Sequence, residues 1–194
     1  MKYRAAFALA AAASLSGCGI NSVPTAEENA KAKWADVQND YQRRADLIPN
    51  LVSTVKAAGA QEKSILVEVT QARASASQVK VSGADLTDPA KVAAYEQAQA
   101  GVTLSLQRLQ EAYPELKSQG NYTTLMSQLE GTENRIAIAR RDYNAAVQSY
   151  NTTIRTFPDA VGAKIFYGAK PMVPFQATTP GAEAAPTVNF GNSN

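Results

Sequence analysis

Large side chains recur at every seventh position late in this chain, and this repeat limits the possible fold more than any other feature. The repeated positions are Tyr122, Leu129, Ile136, Tyr143, Tyr150 and Phe157, with Leu125, Thr132, Ala139, Val147 and Ile154 between them. Two apolar positions per seven residues are typical of a helix that packs against other helices, as in a coiled coil. The repeat predicts a helix over residues 121–157, about 55 Å long, which requires partners of similar length.

An earlier stripe of apolar residues has the spacing of such a partner helix. It runs from Trp34 to Val55 at intervals of three and four residues and resumes from Ile65 to Ala72. Pro49 interrupts the stripe. Because proline lacks a backbone donor, we expect a kink or a short break there, after which the chain continues in the same direction.

A second partner helix is predicted after residue 88. Asp88 is a suitable cap, Pro89 suits the first helical turn, and the apolar stripe extends from Val92 to Leu116. Short connections make neighbouring helices antiparallel. The predicted fold is therefore all-α: an antiparallel bundle of three long helices, with a short fourth helix over residues 159–166.

The amino terminus has the features of a bacterial lipoprotein leader. Lys2 and Arg4 precede an uncharged run, too short to cross a bilayer, that ends in small residues. That end, Leu15, Ser16, Gly17 and Cys18, resembles a lipobox, in which the thiol receives diacylglycerol. We expect residues 1–17 to be removed and Cys18 to carry lipid. In Gram-negative sorting, Asp after this cysteine retains the protein at the inner membrane; Gly19 favours the outer membrane, facing the periplasm.

Composition also sets the domain limits. Residues 18–27 are small and polar, which predicts a tether, and residues 28–167 form the bundle. The stretch 168–194 is rich in Ala, Pro, Gly and Thr without periodicity, which predicts a disordered tail.

The composition excludes several classes of function. Lys and Arg total 19 against 17 Asp and Glu, and two of the basic residues lie in the predicted leader, so the mature chain is near neutral and does not resemble a nucleic-acid binder. Without histidine and with one cysteine, the chain cannot form a Ser-His-Asp triad, a Cys-His dyad, a histidine-ligated metal site or a cysteine-rich zinc site. We expect no metal and no cofactor.

The run from Arg43 to Lys56 reads RRADLIPNLVSTVK and contains Asp46, Pro49 and Asn50. It resembles the pattern RRxDLIPNLVxxVK of the LemA family. Further matches follow in order. They include 113–117, the segment 132–137 with Glu133, Asn134 and Arg135, the segment 139–144 with Arg140 and Arg141, and 150–151.

The resemblance extends over roughly residues 30–175. It implies an envelope-associated helical bundle, and it implies no agreed reaction, substrate or cofactor. Family members often carry an amino-terminal transmembrane helix, and the lipobox here implies the same tethering by a different anchor.

The polar residues allow two interpretations. Arg43 and Arg44 lie within helical reach of Asp40 and Asp46, which favours solvated pairing on one helix. Alternatively, Arg43 or Arg44 crosses the bundle to Glu133, since a buried guanidinium needs a carboxylate.

Two asparagines share the seven-residue period of the neighbouring tyrosines. Asn144 and Asn151 each follow a tyrosine, Tyr143 and Tyr150, and we expect them to align the bundle or to contact a partner.

Two classes of function follow. The first is a non-catalytic scaffold that meets an envelope protein partner through its helix faces. The second is a carboxylate-dependent hydrolase of a cell-wall polymer, for which the candidate acids are Glu111, Glu115, Glu130 and Glu133. Contact of the tail with lipid or peptidoglycan is a third option.

Overall fold

The computed structural model describes residues 21–59 and 63–176, which contain five α-helices. They are α1 (Ser22–Ala57), α2 (Lys63–Gln78), α3 (Pro89–Ala112), α4 (Gly120–Thr153) and α5 (Asp159–Gly162). Short 3₁₀ turns at Gly83–Thr87 and Pro114–Ser118 precede α3 and α4, and a π-helical turn, Ala163–Tyr167, follows α5. The described residues contain no strand, so the predicted all-α fold is confirmed.

The first predicted helix is in fact two helices, which corrects the expectation at Pro49. Pro49 lies inside α1 on its exposed side, and the helix continues to Ala57. The chain turns instead near Gly59, whose φ of 87° is readily adopted only by glycine. It then reverses direction, so that α2 runs back along α1. A contact between the two helices shows this: Arg73 of α2 donates a hydrogen bond from Nε to the carbonyl oxygen of Ala45, 2.7 Å away.

The four long helices alternate in direction. Glu68, near the start of α2, binds Arg108 near the end of α3 at 2.6 Å. α1 packs along α4 over most of its length, with Arg44 opposite Glu133. Asp88 caps α3 by accepting a hydrogen bond from the amide of Ala90 at 3.0 Å, as predicted. The bundle is antiparallel as expected, with four long helices rather than three and a short helix at 159–162.

The core divides into an aromatic part and an aliphatic part. The aromatic part surrounds Trp34, whose rings lie 5.2 to 5.4 Å from those of Tyr95, Tyr143 and Phe175. The aliphatic part is near the α1–α2 turn and contains residues such as Leu51 and Leu109.

The seven-residue repeat is buried up to the end of α4. Its first five positions are all in the core, and Thr132, Ala139 and Val147 are buried between them. Phe157 breaks the pattern with 85% exposure, because α4 ends at Thr153 and the chain turns before reaching it. The predicted helix is therefore four residues too long at its carboxyl end.

Both predicted margins of the bundle are corrected. The tether was expected to reach residue 27, but α1 begins at Ser22, Val23 is fully buried, and Pro24 lies in the first turn where its missing donor costs nothing. The tail was expected to be disordered from residue 168, but residues 168–176 lie extended along the bundle and bury Met172 and Phe175. Residues 177–194 and the leader with its lipobox lie outside the described residues.

Within residues 21–59 and 63–176, none of the helices combines the length and the hydropathy of a membrane-spanning segment.

Candidate functional site

A buried arginine joins three helices at the centre of the bundle. Arg44 of α1 is 1% exposed, and its Nη1 lies 2.8 Å from both Glu133 Oε1 of α4 and Thr103 Oγ1 of α3. Its Nη2 donates to the carbonyl and the side-chain oxygen of Gln99, at 3.0 and 2.7 Å. The guanidinium also lies 5.0 Å from the ring centre of Tyr41. Of the two alternatives for the arginine pair, Arg44 therefore makes the contact that crosses the bundle.

The predicted site residues of the first motif other than Arg44 lie toward solvent, while Ile48, Leu51, Val52 and Val55 of the same motif are buried in the core. Arg43 is exposed, and the exposed Asp46 accepts a hydrogen bond from Gln42 at 2.7 Å rather than pairing with an arginine. Pro49 and Asn50 are exposed on the same helix. This motif thus presents one buried cation to the bundle interior and a polar surface to solvent.

A second polar cluster binds the extended segment 168–176, which we call the strap. Asn144 donates to the carbonyl oxygen of Phe175 at 3.0 Å and accepts from its amide at 2.8 Å. Asn151 binds the backbone of Met172 in the same two-way manner, with both bonds 2.8 Å long. Because two helical turns separate the asparagines, they hold two points of one extended chain by its backbone alone.

Further contacts fix the strap to α4 and α3. The Tyr143 hydroxyl donates to the carbonyl of Val173 at 2.9 Å, and Arg140 donates to that of Gln176 at 2.8 Å. Arg140 also lies 4.7 Å from the ring centre of Phe175. The Gln176 amide donates to Glu96 of α3 at 2.9 Å.

Burial changes the ionisation of groups beneath the strap. It raises the pKa of Tyr143 well above that of a free phenol, so the hydroxyl stays protonated and donates to the strap. Burial also raises the pKa of Glu96, opposed by the Gln176 amide and by Arg140, whose guanidinium is 3.9 Å away.

The other predicted residues of α4 are on its outer surface. Asn134 and Arg135 are exposed, and Arg141 is exposed beside Asp142 at 3.8 Å. Glu130 lies on the α3–α4 surface, and Glu133 of the same helix is bound to Arg44. No group of three or more metal-ligating side chains occurs within residues 21–59 and 63–176.

Residues that were not predicted as site residues also hold these clusters and the α1–α2 pair in place. Gln99 falls within the apolar stripe from Val92 to Leu116, and a polar residue at a stripe position was the available signal for a buried partner of Arg44. Nothing in the sequence pattern indicated a role for Glu96, because its partner, the amide of Gln176, lies in the strap, which was predicted to be disordered. Arg73 belongs to a further family-like pair, Ala72 and Arg73, but its role depends on the reversal of α2, which the apolar stripe did not indicate.

Comparisons with known proteins agree with the motifs. The family model of the LemA family matches residues 33–190. Magnetosome proteins MamQ 1 and MamQ 2 of Paramagnetospirillum magneticum (strain AMB-1) are each 30% identical to the chain over 157 residues, which cover 71% of it. MamQ of Magnetospirillum gryphiswaldense (strain MSR-1) is 29% identical over the same length. The matched region spans 58% of each relative's own length. Since the family model covers most of the chain, this protein belongs to the LemA family.

Proposed function

We propose that this protein is a lipid-anchored, non-catalytic scaffold of the cell envelope that binds a protein partner through the outer faces of its bundle. LemA membership and the relatives named as magnetosome proteins support an association with membranes. The lipobox-like sequence ending at Cys18 supports lipid as the anchor.

One observation carries the scaffold role: the buried and half-buried polar residues of the family-like motifs bind the protein's own chain. Arg44 and Glu133 connect helices, and Asn144 and Asn151 hold the backbone of the strap. Residues that serve alignment in this way are not free to act on a substrate. The exposed arginines Arg43, Arg135 and Arg141 are left for a partner, and guanidinium groups are frequent anchors of protein interfaces.

The anchor is tested by labelling cells with a fatty-acid analogue. The parent chain should be labelled and recovered with membranes, whereas Cys18→Ser should lose the label. Equal labelling and membrane recovery of the Cys18→Ser variant would refute lipid anchoring. Because Gly19 follows the cysteine, separation of inner and outer membranes should place the parent in the outer one; recovery in the inner membrane would refute that placement.

The non-catalytic role is tested by incubating the purified chain with envelope polymers. We expect no cleavage. Cleavage that is abolished by Glu130→Gln or Glu133→Gln, with unchanged stability, would replace the scaffold by a carboxylate hydrolase.

A further inference from the structure

The connection between α4 and the strap exposes a cluster of apolar side chains. Of the eight large hydrophobic residues exposed in the described part of the chain, five lie within residues 157–167, here called the apolar turn. They are Phe157, Val161, Ile165, Phe166 and Tyr167. Single exposed apolar residues are normal, whereas a contiguous group indicates a binding surface.

The apolar turn lies at the end of the bundle where the chain enters. α5, which is part of the turn, contacts α1. Ala163 of the turn and Val23 of the first turn of α1 belong to the same core cluster. The start of α1 and the apolar turn therefore form one end of the molecule, opposite the α1–α2 turn.

The short distance in sequence between Cys18 and α1 limits how far this end of the molecule can lie from the membrane. Only three Cα–Cα steps separate Cys18 from Asn21, where the described chain begins. Three steps span at most ~11 Å, whatever path they follow. A lipid on Cys18 thus brings the start of α1 to the bilayer surface, whereas the ten-residue tether expected from the sequence would have allowed ~35 Å.

The charges around the turn suit an anionic lipid surface. Lys164 within the turn and Arg155 and Lys170 on either side of it are exposed, and Asp159 is the single acidic residue in the range 155–170. On the neighbouring part of α1, Glu27 and Glu28 are both bound by Lys31, at 2.8 and 2.7 Å. Exposed Phe and Ile flanked by basic residues are typical of segments that lie in the membrane interface.

We propose that the apolar turn inserts into the bilayer that holds the Cys18 lipid, as a second point of membrane contact. Phe157, Ile165 and Phe166 enter the boundary between headgroups and acyl chains, and the basic residues contact anionic headgroups. This inference rests on the proposed lipid anchor. Two contacts at one end orient the bundle end-on, so that α1, ~54 Å long at 1.5 Å per residue, extends away from the membrane.

The test places a polarity-sensitive dye on the full mature chain, isolated from membranes and reconstituted in phosphatidylethanolamine and phosphatidylglycerol vesicles with a nitroxide-labelled lipid. The dye is attached at Phe166→Cys or, as a matched control, at Val67→Cys. The side chains at both positions are exposed, 69% and 59%, and Val67 lies near the opposite end of the bundle. Cys18 is the only cysteine of the sequence. Because lipid occupies its thiol, the introduced cysteine at position 166 or 67 is the one free thiol to which the dye attaches.

We expect quenching by the nitroxide lipid to be several-fold stronger at position 166 than at position 67. Adding Phe157→Ser and Ile165→Ser should reduce quenching at 166 toward the control value, without a change in melting, because both side chains are exposed. Equal quenching at the two positions would overturn the proposal. The proposal would also be overturned if, without vesicles, the dye at 166 became more shielded from water as the protein concentration rises. In that case a second copy of the chain would cover the turn.

The mass of the amino-terminal peptide distinguishes a failure of the proposed lipid anchor from a failure of the proposed membrane contact by the apolar turn. A chain without acyl groups refutes the proposed anchor. In that case the dye is placed in a Cys18→Ser background, and quenching at 166 on addition of vesicles still decides whether the turn binds lipid.

Discussion

A missing backbone hydrogen bond and its replacement explain how α1 passes through Pro49. In an α-helix the amide of residue 49 would donate to the carbonyl of Ala45, and proline has no such amide. Arg73 of α2 donates from Nε to that same carbonyl, at 2.7 Å. The hydrogen bond that Pro49 cannot make is therefore replaced by one from Arg73, a residue of the helix that packs back against α1.

This compensation predicts coupling between Pro49 and Arg73. Arg73→Ala should lower the free energy of unfolding by about 1.5 to 3 kcal/mol, as for a hydrogen bond that involves a charged group. In a Pro49→Ala background the restored amide binds Ala45, so the same change should cost clearly less. Urea unfolding of the four chains of this double-mutant cycle measures the difference. Equal costs in the two backgrounds would contradict the compensation.

The pairing of Arg44 with Glu133 makes a second prediction. Glu133→Ala leaves a buried guanidinium without its carboxylate and should destabilise the chain by about 1 to 3 kcal/mol. The partial exposure of Glu133 keeps the expected cost below that of a fully buried pair. Glu130→Ala, an exposed glutamate on the same helix, is the control and should change stability by less than about 0.5 kcal/mol. A loss no larger than that of the control would show that Gln99 and Thr103 suffice for Arg44.

At the scale of elements, the seven-residue repeat of α4 can be tested by one buried and one exposed isoleucine. Ile136 is buried in the repeat, and Ile138, two residues later, is half exposed. Ile136→Ala should cost about 2 to 5 kcal/mol through lost burial and an unfilled cavity. Ile138→Ala should cost less than about 0.5 kcal/mol. Similar costs for the two changes, measured by urea unfolding, would contradict the orientation of α4.

The strap is an element in its own right. Met172 and Phe175 are buried, and a fully buried side chain of this size contributes about 1.5 to 3 kcal/mol. Truncation after residue 167 should therefore lower the unfolding free energy by more than about 3 kcal/mol, whereas truncation after residue 176 keeps these contacts. Thermal and urea unfolding of both truncated chains provide the comparison. If the shorter chain is as stable as the longer one, the strap does not contribute to the fold.

At the scale of the whole molecule, the sequence predicted those features that depend on local periodicity. The buried faces of α3 and α4, the cap at Asp88 and the all-α class follow from spacing and cap chemistry alone. The reversal after Ala57 could not be predicted in this way, because the apolar stripe of α1 resumes in α2 with the same period. The strap could not be predicted from composition either, because its Pro and Ala content is typical of a disordered segment. It is ordered by two buried side chains and by four hydrogen bonds between its backbone and two asparagines.

The candidate site was predicted as a list of residues, and the fold separates that list by location. Arg44 and Glu133 lie between helices, Arg140, Asn144 and Asn151 lie under the strap, and Arg43, Arg135 and Arg141 face solvent. Sequence spacing places residues on a helix but does not say which face another element will cover. Arg140 and Arg141 are adjacent in sequence and fall in different groups for this reason.

Partner contact through the exposed arginines is the central claim, and cross-linking in intact cells tests it most directly. The parent chain is compared with Arg43→Ala, Arg135→Ala and Arg141→Ala, and each purified variant is also melted. We predict that at least one variant loses a cross-linked protein complex while melting as the parent does, because these side chains contact solvent and not the core. The account is contradicted if all three variants retain the parent's cross-links, or if complexes disappear only when the melting temperature falls.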